Sequence, residues 1–256
     1  MLDGQTAFVT GASRGIGRAI AEAYAERGGT VTIAARSEAI YETRDAIGDD
    51  RALALETDVT DEEAVRTAID ETVEEFGGLD TVVNNAAIAG PTAGVGEVES
   101  ADWQETIDVN LTGAFYTVKH AVSHLRESPR GSVVNVSSIT GKRPLPDRLP
   151  YAVSKIGLIG MTRTLAHELG EDGITVNTIC PGAVRTERLR RVFETHAEQL
   201  GVTYDEALRE LVLDDLAIDE LQEPAEIAAM VVFLASDSGR HVTAQDISID
   251  SGATWY

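Results

Sequence analysis

Short apolar runs alternate with amphipathic stretches along the first half of this chain, and that alternation leaves few folds open. Residues 6–10 read as a strand and 15–27 as the helix that follows it. A second pair covers 30–35 and 38–47. A third covers 52–56 and 61–76, where Ala64, Val65, Ala68, Ile69 and Val73 recur at helical spacing. Residues 79–84 read as a fourth strand, and later strands are predicted at 132–136, 175–179 and 246–249. Repeated strand–helix units cross over right-handedly and build a parallel sheet covered by helices on both faces. The expected fold class is α/β, a single-domain, doubly wound parallel sheet.

No Pro- or Ser-rich linker divides the 256 residues, a length that suits one large domain. Only the stretch 185–223, helical in composition, breaks the rhythm before a helix opened by Pro224-Ala225-Glu226. An insertion after the carboxyl end of a strand is where a substrate lid is expected.

The chain carries 43 acidic and 21 basic residues, a net charge of −22, and its only lysines are Lys119, Lys142 and Lys155. Such a surface repels nucleic acid and anionic membranes, so neither is expected as a partner. High acidity with few lysines resembles the cytoplasmic proteins of salt-loving microbes, whose carboxylates are screened by molar salt. A merely acidic protein is the plainer alternative. No apolar run reaches the roughly 18–20 residues of a membrane span, and the first residues show no basic signal segment. The single cysteine, Cys180, forms no internal disulfide and suits a reducing compartment. A cytoplasmic protein is therefore expected. No metal is expected, because His120, His124, His167, His196 and His241 show no zinc-ligand grouping.

Thr10, Gly11, Ala12, Ser13, Arg14, Gly15, Ile16 and Gly17 lie between the first strand and the first helix. Glycines let a backbone turn tightly against a pyrophosphate, and a helix N-terminus offers it free N–H groups. The spacing is Gly-x-x-x-Gly-x-Gly rather than the commoner Rossmann Gly-x-Gly-x-x-Gly, and an ordinary turn is the bland alternative. Dinucleotide folds that take NAD place an acid at the end of the second strand for the ribose 2′-hydroxyl. Here Ala35 holds that place and Arg36 follows. An arginine binds a 2′-phosphate that an acid would repel, and Arg14 adds a second positive group. NADP is thus expected over NAD, with a solvated loop arginine as the alternative for Arg36.

Tyr151 and Lys155 stand four residues apart, on one face of a helix. A lysine charge lowers the tyrosine pKa from near 10 and makes the phenol a competent acid or base. Alone, Tyr-x-x-x-Lys is common and is usually a solvated helix face. Here it follows Ser138, which ends the strand Val133-Val134-Asn135-Val136-Ser137-Ser138. With the glycine loop, these residues resemble the short-chain dehydrogenase/reductase family from Gly11 to Gly252, with a Rossmann-type fold.

The resemblance implies roles. Tyr151 would be the general acid in reduction and the base in oxidation. Lys155 would lower its pKa and hold the nicotinamide ribose. Ser138 would hydrogen-bond the substrate oxygen, and Asn110 would hold a water that links Lys155 to bulk solvent. Asp58, followed by Val59, would accept from the adenine amine. Asn84-Asn85-Ala86-Ala87 is similar to the family's Asn-Asn-Ala-Gly but ends in alanine. Pro181, Gly182, Val184 and Thr186 resemble the segment that binds the nicotinamide carboxamide. Turns stabilised by Asx bonding remain the alternative at Asp58 and Asn85. Family members are usually dimers or tetramers, so a homotetramer or homodimer is expected, with residues 227–234 and Trp255-Tyr256 available for a second interface.

Substrate signals are thinner. Between residues 142 and 191 nine basic residues face five acidic ones, against the trend of the whole chain. An anionic small-molecule substrate is one expectation, with Arg143, Arg148, Arg185 and Arg188 as candidate contacts. A solvated helix face, with Arg188, Arg190 and Arg191 paired to acids such as Glu194 and Glu198, is the other. The resemblance points first to a 3-oxoacyl thioester reductase. A sugar, polyol or sugar-acid dehydrogenase is the alternative, and a non-catalytic NADP-binding sensor or scaffold is the alternative of another class.

Overall fold

The computed structural model describes residues 1–255; Tyr256 lies outside the described residues. The first half alternates β1 (Thr6–Thr10), α1 (Gly15–Glu26), β2 (Thr30–Ala35), α2 (Ala39–Ile47), β3 (Ala52–Glu56), α3 (Glu62–Phe76) and β4 (Thr81–Asn84). Then come α4 (Ser100–Ile107), a π-helical turn at Asp108–Thr112, α5 (Gly113–Glu127), β5 (Ser132–Val136), α6 (Leu149–Glu168) and β6 (Thr175–Pro181). The chain closes with α7 (Glu187–Leu200), α8 (Tyr204–Leu211), α9 (Pro224–Ala235) and β7 (Asp246–Ile249).

Among the described residues seven strands form one parallel sheet in the order β3-β2-β1-β4-β5-β6-β7. The order reverses at β1, which has β2 on one side and β4 on the other. Ligands of open α/β sheets bind at such a switch point, beyond the carboxyl ends of the strands. Side chains alternate through the sheet as a strand requires. Ala7 and Val9 pack into one core with Ile20, Ala21 and Tyr24 of α1 and with Ile227, Val231 and Leu234 of α9. Phe8 packs into the other with Val65 and Ile69 of α3, and Val118 and Leu125 of α5.

Most expected boundaries hold within a residue. β4 starts at Thr81 rather than 79, after Gly77 ends α3 in the left-handed region. The Asp80 carboxylate accepts from the Thr6 N–H at 2.7 Å and from the Ser128 hydroxyl at 2.5 Å. β6 runs on to Pro181, so the segment meant for the nicotinamide begins inside the sheet. Ile227, Ala228, Val231, Val232 and Leu234 are buried in the chain's own core, which leaves Phe233 as the exposed large side chain of the run 227–234. Trp255 is 84% exposed. Among the described residues no helix is long and apolar enough to cross a membrane.

Candidate active site

The glycine loop and the end of β4 are stitched into one unit. Gly11 and Gly15 have φ of 66° and 59°, the left-handed region that favours glycine. The Thr10 hydroxyl accepts from the backbone N–H groups of Asn85 at 3.0 Å and Ala86 at 3.1 Å. The Asn85 amide donates back to the carbonyls of Thr10 at 2.9 Å and Gly11 at 3.1 Å. A Cβ on Gly17 would run into that amide and into the Gly11 carbonyl, so only glycine lets α1 start this close to the loop. Arg14 is the N-cap of α1 and its side chain makes no capping bond. The first N–H groups of the helix are thus left for an anion, as a pyrophosphate requires. Ser13 and Ile16 flank Arg14 and Gly15 on the same turn.

Arg36 follows β2 and is 60% exposed at its side chain, with Nη1 3.6 Å from the Asp58 carboxylate. Burial pushes the Asp58 carboxyl up, but hydrogen bonds from Thr60 and the charge of Arg36 outweigh it and hold the group below its ordinary value. Val59 is buried against the start of α5, where a Cβ on Gly113 would overlap it. At the other end, Gly182 donates to the Ile249 carbonyl at 2.9 Å and Val184 bridges to Gln222. Thr186 caps α7 by accepting from the Leu189 N–H at 3.3 Å. The Thr186 methyl group stands 3.6 Å from where a Gly15 Cβ would be, so the segment after Pro181 folds back onto the glycine loop. This donor set and the glycine-lined cradle fit a nicotinamide dinucleotide.

Tyr151 and Lys155 lie on α6, whose first turn contains Pro150 at a position that needs no N–H. Lys155 is 2% exposed, and its Nζ donates to the Val136 carbonyl at 2.9 Å. Burial, followed by the charge of Arg188, pulls its pKa down to about 7. Its Nζ lies 5.6 Å from the Tyr151 ring centre. Ser138 caps the short turn Ile139–Gly141; its hydroxyl accepts from the Thr140 N–H at 3.1 Å and donates to the Thr140 hydroxyl at 3.2 Å. Asn110 sits in the π-helical turn, 2% exposed. Its Oδ1 accepts from the Ile88 N–H at 2.8 Å, and its Nδ2 donates to the Ile88 carbonyl and to the Ser154 hydroxyl, both at 3.0 Å. Ser154 in turn donates to the Tyr151 carbonyl at 2.8 Å. Asn110 is therefore tied to the helix that carries Tyr151.

Several supporting residues escaped the sequence reading. Ser137 donates to the Lys155 carbonyl at 2.8 Å. A buried polar ladder runs from Asn84 to Asn135 at 2.9 Å, on to Thr162 at 2.7 Å and then to Thr178 at 2.6 Å. It fastens α6 to β4, β5 and β6. Each member is a common polar residue, and no local pattern marks it.

The four candidate arginines part company. Arg185 pairs with Glu223 at 2.6 Å. Arg190 pairs with Glu187 and Glu194, and Arg191 with Glu187, as a solvated helix face does. Arg148 instead stacks on Tyr151, its guanidinium carbon 5.3 Å from the ring centre, and donates to the Ala89 carbonyl at 2.6 Å. Its Nε is buried with no hydrogen-bond partner among the described residues. Arg143 and Arg188 have no carboxylate partner there either. Burial, and then the nearby Arg188 charge, lowers the pKa of Arg148.

Moving a hydride to or from a carbon that bears oxygen requires a cradle for the hydride carrier and a proton donor beside the oxygen. One sheet edge offers both, and fold and site define an NAD(P)-dependent oxidoreductase acting on CH–OH or carbonyl groups. Residues 11–254 match the family model described as enoyl-(acyl carrier protein) reductase, and the chain belongs to the short-chain dehydrogenase/reductase family. It is 35% identical to glucose 1-dehydrogenase 2 of Bacillus subtilis, over 100% of this chain and 96% of that one. It is 36% identical to cis-4-hydroxycyclohexanecarboxylate dehydrogenase of Sinomonas cyclohexanicum, over 98% and 96%. It is 33% identical to a 3-oxoacyl-(acyl-carrier-protein) reductase of Staphylococcus aureus, over 97% of each. The crystal structure of levodione reductase superposes with a TM-score of 0.93 at 30% identity, covering 100% of both chains.

Proposed function

We propose that this chain is an NADP(H)-preferring reductase of a small oxo compound, acting through Tyr151, Lys155, Ser138 and Asn110. The observation that carries the reading is the buried Lys155 side chain beside the Tyr151 ring. A basic side chain beside a phenol suits the pair to general acid–base work. When bound, the nicotinamide supplies the hydride in reduction and takes it up in oxidation. Tyr151 gives its proton to the substrate oxygen in reduction and takes it back in oxidation. Ser138 turns its hydroxyl from Thr140 to that oxygen and steadies the developing alkoxide. Asn110 holds α6 in place through Ser154.

Gly11, Ser13, Arg14, Gly15, Ile16 and Gly17 hold the pyrophosphate side of the cofactor, Asp58, Val59, Asn85 and Ala86 the adenosine side, and Pro181, Gly182, Val184 and Thr186 the nicotinamide. Ala35 and Arg36 support the choice of NADP, since β2 ends without an acid. Residues 185–223, with α7 and α8, serve as the substrate lid. Phe115 on α5 and Ile156 on α6 are exposed and apolar, which supports pairing of copies into a homodimer or homotetramer. The single buried thiol suits a cytoplasmic setting.

Two substrate classes fit this chemistry. The sequence favours a 3-oxoacyl thioester, as the name of the Staphylococcus aureus relative indicates for that protein. The arginines at the cleft favour a hydroxy or oxo acid, as the name of the Sinomonas relative does for its own protein. Initial rates in high salt, with NADPH and NADH against acetoacetyl thioester, oxo acids and oxidised sugars, test the reading. Reduction of an oxo substrate with a preference for NADPH is expected. Turnover of none of them, with NADPH bound, would overturn it.

A further inference from the structure

Acids outnumber bases about two to one in this chain, and 14 of the 21 lysines and arginines pair with one. Among the described residues, Arg27 and Arg240 lack a carboxylate within 4.0 Å. So do five others: Arg14 in the glycine loop, and Arg143, Arg148, Lys155 and Arg188 on the segments that bear or follow the Ser138–Tyr151 site. A buried guanidinium nitrogen without a partner is costly, so a group that bonds and neutralises it is favoured there. The Arg188 charge acts on Arg148 and on Lys155.

Arg148 is held there by the backbone. Asp147 adopts φ of 61°, in the left-handed region, and its carbonyl accepts from the Ala93 N–H at 2.9 Å. That kink turns Arg148 inward, where it stacks on Tyr151 and grips the Ala89 carbonyl. One Arg148 nitrogen is thus engaged, and its buried Nε is without a partner. Arg188 stands exposed in the first turn of α7 with no carboxylate partner, while its neighbours Arg185, Arg190 and Arg191 are neutralised by Glu223, Glu187 and Glu194.

We propose that Arg148 and Arg188 together clamp a carboxylate on the substrate itself, so that this enzyme acts on a small oxo or hydroxy acid. The inference rests on Tyr151 marking the reacting oxygen. A guanidinium 5.3 Å from that ring's centre lies within one small molecule's reach of the phenol. The carboxylate therefore stands only a few carbons from the reacting carbonyl. One arm of the clamp belongs to the catalytic floor and the other to the lid, so the acid itself draws the lid down. Two guanidinium groups bind a carboxylate with directional, charge-assisted bonds and reject its uncharged ester.

The test uses the full-length protein with saturating NADPH and three matched pairs: acetoacetate, levulinate and 4-oxocyclohexanecarboxylate, each against its methyl ester. Wild type, Arg188→Met and Arg148→Met are compared by kcat/KM, and NADPH affinity is measured separately by fluorescence titration. Wild type should prefer at least one acid over its ester by tenfold or more. Arg188→Met, at an exposed position, should cut that preference at least tenfold through KM while NADPH affinity stays the same. Esters used as well as acids, or a preference that survives Arg188→Met, would overturn the clamp. Reduction of acetoacetyl thioester with no acid turned over would also overturn it and leave the reductase reading standing. Turnover of nothing, thioester included, would sink both.

Discussion

The Nζ of Lys155 ends 2.9 Å from the carbonyl of Val136, sealed from solvent and with no carboxylate to balance it among the described residues. Burial pulls its pKa from 10.5 to about 7. From about pH 7 upward the unfolded chain therefore holds a proton on this lysine that the ligand-free fold gives up. Stability from this group must rise with pH across that range, by at most ~1.4 kcal/mol per pH unit. Cys180, pushed up by burial to about 11, opposes the trend only above the ordinary thiol range. Urea unfolding of the ligand-free protein between pH 7 and 8.5 should show the rise, and Lys155→Met should flatten it. An identical slope in that variant would mean that Lys155 is not the group that titrates.

Tyr151→Phe removes the proton donor and leaves the ring between Arg148 and Lys155. Turnover should fall by about 10²–10⁴-fold, the usual worth of a general acid or base. NADPH affinity, read by fluorescence titration, should hold. A variant that keeps a tenth of its activity would take the proton step away from Tyr151.

Arg36→Asp places a carboxylate where the resemblance puts the reader of the cofactor ribose and sets it against Asp58. The ratio of kcat/KM for NADPH over NADH should drop by about tenfold or more, the equivalent of ~1.4 kcal/mol. Arg36→Ala should give a smaller drop, since it removes attraction without adding repulsion. An unchanged ratio in both would leave the 2′-phosphate to Arg14 or to neither.

The acid excess should show in salt. At about 0.1 M ionic strength charges act over roughly 10 Å, and at 1 M over roughly 3 Å. The melting temperature should climb by several degrees between these conditions, because screening removes net repulsion faster than it weakens the exposed ion pairs. A melting temperature independent of salt would count against a high-salt setting for this protein.

The sheet and its cradle were legible in the chain because they rest on local rules. Strand and helix periods, Gly11, Gly15 and Gly17 at a strand-to-helix turn, and Tyr151 four residues before Lys155 each announce themselves within one short window. What stayed hidden depends on residues far apart in sequence. Asn84 meets Asn135 across 51 positions, and Arg148 meets Ala89 across 59. Nor could charge counting separate Arg188 from Arg190 and Arg191, since it sees the residues of α7 but not which way each one faces. The run 227–234 is alike in this, because an apolar helix does not announce which of its residues pack on its own α1.

The ladder from Asn84 to Thr178 also governs what change this enzyme tolerates. A helix lying on a purely oily surface can slide or roll by fractions of a turn as its neighbours mutate. A row of amides and hydroxyls resists such sliding, since each donor would leave its acceptor. α6 is thus indexed to the sheet like a part located by dowels, and Tyr151 and Lys155 inherit that position. Lid residues can drift from one substrate to another without disturbing the alignment, so a lineage can explore new chemistry at its rim while its proton machinery stays on station.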